Sequence, residues 1–148
     1  MLLHKQGRFY SGSVSFALPD GCYLVIAEAL NYHENGLEIT APEGLFNITI
    51  STYYEEMDAK SFLDDMLSSS GFIRLSDTKL VNAGDLEGYS VMYRDKRNIY
   101  CEYHFDLEEK DDINALVIFI YADKSADIAS ISSSKMVADL LSSLKKVP

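Results

Sequence analysis

The chain reads as an α+β protein, an antiparallel β-sheet of about six to eight strands flanked by helices in an α/β/α sandwich, on three observations. Period-two apolar alternation comes in two blocks, each followed by one helical stripe, with none of the strand-helix-strand alternation of a parallel nucleotide-binding sheet. Two segments, at 58–70 and roughly 132–146, repeat apolar residues at helical spacing. One run, Leu116 to Tyr121, is apolar on both faces, as a central strand covered on both sides must be.

The elements follow in order. Val14, Phe16 and Leu18 share one face of a first strand, which Pro19-Asp20-Gly21 ends, proline fixing φ and glycine supplying a positive one. Tyr23 to Ala27, Leu37 to Ala41 and the alternating Leu45 to Ile50 are three more strands, separated by turns at Asn35-Gly36 and Pro42-Glu43-Gly44, and the simplest arrangement is a meander. Ala59, Phe62, Leu63, Met66 and Leu67 then form one helical stripe, with Asp58 placed to cap it and Met57 and Phe62 placed as a hydrophobic staple. Phe72 to Leu75 and Thr78 to Ala83 read as one irregular or bulged strand. Tyr89, Val91 and Tyr93 form a hairpin with Ile99, Cys101, Tyr103, Phe105 and Leu107 across Asp95-Lys96-Arg97-Asn98. Its other face carries Tyr100, Glu102, His104 and Asp106 and is expected to be wet or partnered. Met136, Val137, Leu140, Leu141 and Leu144 make the final stripe, with Lys145 and Lys146 placed to complement the negative end of the helix dipole.

The 148 residues are one domain's worth, and residues 1–12 read as an N-terminal extension. The composition, 47% apolar and 24% charged with 3 prolines, excludes collagen, coiled-coil rods and wholesale disorder. A formal charge of -10 argues against a phosphate-binding surface, so nucleic acid is not an expected partner. No run approaches the roughly 20 apolar residues of a spanning helix, and no apolar signal region opens the chain, which leans cytoplasmic unless a leader has been removed. Cys22 and Cys101 are too sparse for a disulfide framework or a CxxC metal site and read as small buried hydrophobes.

Chemistry is thin. Glu102-x-His104-x-Asp106 puts three metal-ligand types on one strand face, but alternate residues lie about 6.7 Å apart and Glu102 and Asp106 about 13 Å, so at most two could share an ion. The acidic run Asp106, Glu108, Glu109, Asp111, Asp112 lacks the order and closing glutamate of a calcium loop and reads as a charged hairpin loop. No G-x-S-x-G, G-x-G-x-x-G or phosphate-binding loop is present, and Cys101 and His104 point to opposite strand faces. No cofactor is expected. The 10 tyrosines and 7 phenylalanines, with no tryptophan, serve a core rim or a protein interface.

FALPDG at 16–21, LEITAPEGLFNITIS at 37–51, SFL at 61–63, DLEGYSVMY at 85–93, LVIFIY at 116–121 and SSLKK at 142–146 resemble the PsbP/Mog-like fold family. The resemblance implies an antiparallel sheet sandwiched by helices, a bacterial member and a non-enzymatic role in protein binding. Known members include a photosystem II extrinsic subunit, a Ran-binding nuclear transport factor, bacterial lipoproteins and chaperones that hold secreted effectors. This chain shows neither a lipobox cysteine nor a thylakoid leader, and the family offers no catalytic motif to carry over. The expected function is therefore a non-catalytic protein-interaction or chaperone-like domain, self-association included. Its binding face comprises Tyr100, Glu102, His104 and Asp106 and the acidic run Glu108, Glu109, Asp111, Asp112. The alternative is a small metal-dependent or hydrolytic enzyme with its site around Glu102 and His104.

Overall fold

A computed structural model describes residues 2–25, 36–69 and 71–148. The Asn35-Gly36 turn and the end of the Tyr23 to Ala27 run lie partly outside the described residues, as does His33.

The fold is α+β, with the expected antiparallel sheet flanked by helices. The strands and α-helices among the described residues are, in chain order, β1 (Leu3–Lys5), β2 (Arg8–Ser11), β3 (Val14–Phe16), β4 (Tyr23–Val25), β5 (Gly36–Thr40), β6 (Asn47–Tyr53), α1 (Ala59–Ser68), β7 (Ile73–Arg74), β8 (Lys79–Ala83), β9 (Leu86–Arg94), β10 (Asn98–Lys110), β11 (Ile113–Asp123), α2 (Ile128–Ser132), α3 (Lys135–Ser142) and β12 (Lys145–Lys146). An eight-stranded sheet runs β4-β5-β6-β11-β10-β9-β7, with β8 also on β9, and a four-stranded sheet runs β1-β2-β3-β12. All pairings are antiparallel.

Of the expected opening meander, β4-β5-β6 forms and only its first strand differs. β3 leaves the large sheet and joins β1 and β2, so residues read as an extension supply two strands. β6 instead reaches across the sequence to β11, Ile50 opposite Ile118 and Ile48 opposite Ile120. The bulged strand of 72–83 is two pieces, β7 and β8, both on the same edge of β9.

The main core lies between one face of the large sheet and the layer of α2, α3 and the small sheet. Ile39, Ile48, Ile50, Phe105, Leu116, Ile118 and Ile120 meet Val14, Phe16, Val137, Leu140 and Leu144 there. Leu116, Ile118, Ile120, Leu140 and Leu144 are fully buried, as their periodicity predicts. Phe62 and Met66 are only half-buried, because α1 closes onto the sheet along Ala59 and Leu63 and leaves its stripe's flanks at the rim. Cys101 is buried, whereas Cys22 is half-buried and donates to the Pro19 carbonyl at 3.0 Å.

The final helix is shorter than its stripe. Ser134 accepts a hydrogen bond from the Val137 N–H and starts α3 close to the expected position, while Asp127, accepting from the Ser130 N–H, caps a separate short helix, α2, ahead of it. Lys145 and Lys146 do not serve the helix dipole; they pair with Ser15 and Val14 as β12. Ser143 secures this exit, its hydroxyl accepting from the Ala17 N–H at 3.0 Å and donating to the Leu140 carbonyl at 2.6 Å. Gly84 lets the chain pass. Its φ is +57°, and a Cβ there would stand 2.1 Å from the Leu144 carbonyl oxygen.

Candidate functional site

β10 is a long strand between β9 and β11, and its alternating residues face two different layers. Ile99, Cys101, Tyr103 and Phe105 enter the main core. Tyr100, Glu102, His104 and Asp106 do line the opposite face, but that face is not the wet or partnered surface expected of it. Tyr100 is 9%, Glu102 4% and His104 0% exposed, and only Asp106 reaches solvent. The cause is α1. Its apolar stripe needs a sheet face, the far face is taken by α2, α3 and the small sheet, and the helix therefore lies across β9 and β10.

Each residue of the row meets a different part of this cover. Asp106 holds the helix start, its two carboxylate oxygens accepting the Ala59 N–H at 3.0 and 3.2 Å, beside the Asp58 cap on Ser61 at 2.9 Å. His104 lies under the Phe62 ring at a centroid distance of 4.6 Å, with Tyr53 at 6.2 Å. Glu102 accepts a hydrogen bond from the Tyr93 hydroxyl at 2.8 Å. Tyr100 stacks between Tyr93 at 4.8 Å and Phe119 at 5.1 Å, and its hydroxyl donates to Asp95 at 2.7 Å. Phe119 continues to Tyr121 at 5.7 Å, and the Tyr121 hydroxyl donates to Glu38. The result is an aromatic row across β9, β10 and β11 whose three tyrosine hydroxyls each end on a carboxylate.

Burial sets the protonation. It pushes the Glu102 carboxyl up to about 7 against the opposing pull of the Tyr93 hydrogen bond. It pushes the His104 imidazole down to about 4, with Glu55 and Asp58 acting the other way. Tyr93 and Tyr53 are raised by the same desolvation, reinforced by nearby carboxylates. Neither ring nitrogen of His104 has a hydrogen-bond partner, although a neutral imidazole carries one N–H. An unmet buried polar group costs about 1–3 kcal/mol, and a contact with the face of Phe62 recovers only part of it.

Glu102 and His104 are alternate residues of β10 with no hydrogen bond between them, and both are closed from solvent beneath α1. Among the described residues, no group of three or more His, Cys, Asp or Glu is placed to hold a metal ion. Glu102 is engaged by the Tyr93 hydroxyl and Asp106 by the Ala59 N–H, so protein purified without chelator is expected to carry no zinc on these residues at about one equivalent. Elemental analysis near one equivalent would refute this, and Glu102 and His104 would be the first ligands to replace.

The acidic run is exposed at a hairpin end, with its first part in strand and only Asp111 and Asp112 in the connecting turn. β10 continues through Glu108 and Glu109 to Lys110, with a bulge where the register with β11 shifts between Asp106 and Lys110. Asp111 and Asp112 form the turn with φ of 56° and 60°, the left-handed pair of a tight hairpin connection that aspartate tolerates. The hairpin end is braced by Ser13, whose hydroxyl donates to the Glu108 carbonyl at 2.6 Å. Beside it lies a shallow cleft of about 400 Å³ lined by Leu3, Lys5, Tyr10, Gly12, Lys110 and Val147. The cleft was invisible in the sequence because three separate segments build it. The aromatic row had a signal, tyrosine and phenylalanine at matching strand phases, but not its pairing partners.

No family model matches the chain, and no curated protein matches it. Similar solved structures include a protein of Bacteroides thetaiotaomicron, with TM-score 0.55 and 12% identity over 98% of this chain and 50% of that one. This chain therefore spans half that protein's length. LpqN of Mycobacterium tuberculosis, described as involved in cell envelope biogenesis, is similar with TM-score 0.58 and 13% identity over 100% of this chain and 90% of LpqN. At these identities the likeness shows the fold alone. Among the described residues, no helix is long and apolar enough to cross a membrane.

Proposed function

We propose that this chain is a non-catalytic protein-interaction domain of PsbP/Mog-like type, whose exposed acidic hairpin end meets a basic segment of a partner protein. One observation carries the reading: Glu102 and His104 are closed beneath α1, while Asp106, Glu108, Glu109, Asp111 and Asp112 all stay exposed around the end of the β10–β11 hairpin. A hydrolytic site must admit its substrate to the acid and the base. An acidic projection on a molecule of charge -10 does its work at the surface, by attracting and orienting a cationic partner. With α1 closed, Tyr100, Glu102 and His104 lie outside this interface.

The test replaces Glu108 and Glu109 by Gln and Asp111 and Asp112 by Asn, which keeps the left-handed turn. Association with a partner captured from the native organism should slow by about tenfold at low salt and lose most of its salt dependence, since exposed charges act on the on-rate and are screened over about 8 Å at physiological ionic strength. The same rate with the same salt dependence would remove this end of the molecule from the interface.

A further inference from the structure

α1 rests on an unusual bed. The helix buries Ala59 and Leu63 completely, but beneath it lie a carboxyl, Glu102, and an imidazole, His104, which is 0% exposed with neither nitrogen paired. The hydrogen bonds that satisfy the bed do not involve the helix: Tyr93 donates to Glu102 and Tyr100 to Asp95, all four residues lying on β9, β10 or the turn between them. The polar ties of α1 itself sit at its rim, Ala59 to Asp106 at its start and Asp64 to Thr78 at 2.8 Å and Arg74 at 3.4 Å further along. The ladder β6-β11-β10-β9 is complete without α1, and the main core fills the other face. Lifting the helix would therefore break rim contacts and one cluster, separate from the main core, in which Phe62, Leu63, Met66 and Leu67 of α1 pack on Val91, Tyr93, Tyr100 and their neighbours, and it would give His104 access to water.

We propose that α1 is a displaceable cover, which opens as a unit from β9 and β10 while the sheet stays folded, and uncovers a surface of Tyr93, Tyr100, Glu102 and His104. The orphaned imidazole is what biases the helix toward release, because opening is the event that satisfies it. The proposed function takes α1 closed over Glu102 and His104, and Asp106 belongs to both surfaces; hydrogen exchange is read without a partner, so failure of the cover and failure of the acidic interface are distinguishable.

Native-state hydrogen exchange on the whole chain tests it. Amides of 59–68 should exchange through an opening at least about 100-fold more populated than the one that exposes Ile118 and Ile120 at the centre of β11. His104→Leu, which removes the unpaired nitrogens and keeps an apolar side chain, should make the α1 opening about 5- to 100-fold rarer relative to β11. Asp106→Ala, which removes the acceptor at the helix start, should make it about tenfold more frequent with β11 protection nearly unchanged. Three results would each overturn the proposal: α1 and β11 exchanging together, His104→Leu leaving the α1 opening unchanged or raising it, or Asp106→Ala shifting both regions equally. Should the His104 variant fail to fold, the parent's α1-to-β11 ratio and the Asp106 variant decide.

Discussion

Leu140→Ala should lower stability by about 2–5 kcal/mol, the range for emptying a fully buried leucine position. Leu140 is 0% exposed on α3, within the cluster that holds Phe16, Val137 and Leu144 against the large sheet. Two terms add: the transfer of the lost side-chain carbons, and the cavity left by a site that cannot collapse. Collapse is hindered because Ser143, three residues on, ties the helix end down by accepting the Ala17 N–H. For a chain of this size the thermal midpoint should fall by about 5–20 °C. Scanning calorimetry on parent and variant measures it. An unchanged midpoint would mean that α3 contributes nothing to the core.

The second large effect is in pH dependence, and it is hidden in the parent protein. Glu102 has a folded value of about 7 against an ordinary 4.5, so the stability of its neutral, buried form is fully present below pH 4.5 and is lost as pH rises to 7. His104 has a folded value of about 4 against an ordinary 6.5, so its contribution is present above pH 6.5 and is lost as pH falls to 4. Each shift corresponds to about 3 kcal/mol, and between pH 4.5 and 6.5 the two slopes oppose each other almost equally. The titratable groups facing this pair are Tyr93 and Tyr53, which stay neutral here, and Glu55 and Asp58, whose charges favour imidazolium. Glu102→Gln should therefore expose the His104 slope, with stability relative to the parent lower at pH 4.5 than at pH 8. His104→Leu should expose the opposite slope, with relative stability lower at pH 8 than at pH 4.5. Urea titrations of both variants and the parent at the two pH values measure the differences, in which the exposed carboxylates cancel. Parallel pH profiles for all three proteins would show that neither group is as buried as its position beneath α1 implies.

Much of the architecture could be read locally. The β9–β10 hairpin, the α1 stripe and the central position of β11 follow from periodicity and turn chemistry, both properties of neighbouring residues. The acidic hairpin turn at Asp111 and Asp112 was legible too, whereas α2, capped by Asp127 ahead of the expected last helix, has no stripe of its own to mark it. β3 joined the small sheet, and Lys145 and Lys146 left the helix, for a reason no window could show, since their hydrogen-bond partners lie far away in the chain.

The candidate site divides in the same way. Alternation along β10 by itself determined that Tyr100, Glu102, His104 and Asp106 share one face and that Cys101 faces away from His104, because a strand's side-chain period is two whatever surrounds it. Which layer covers that face was decided only by the tertiary structure. A polar strand face and a covered one have the same period, and their difference lies in where a helix more than thirty residues earlier, Ala59–Ser68, finds room to bury Leu63. That docking turned a predicted wet surface into a second small core, shifted Glu102 and His104 toward their neutral forms, and left the acidic hairpin end as the exposed part of the row, because desolvation depends on what is stacked above a side chain and not on its neighbours in sequence.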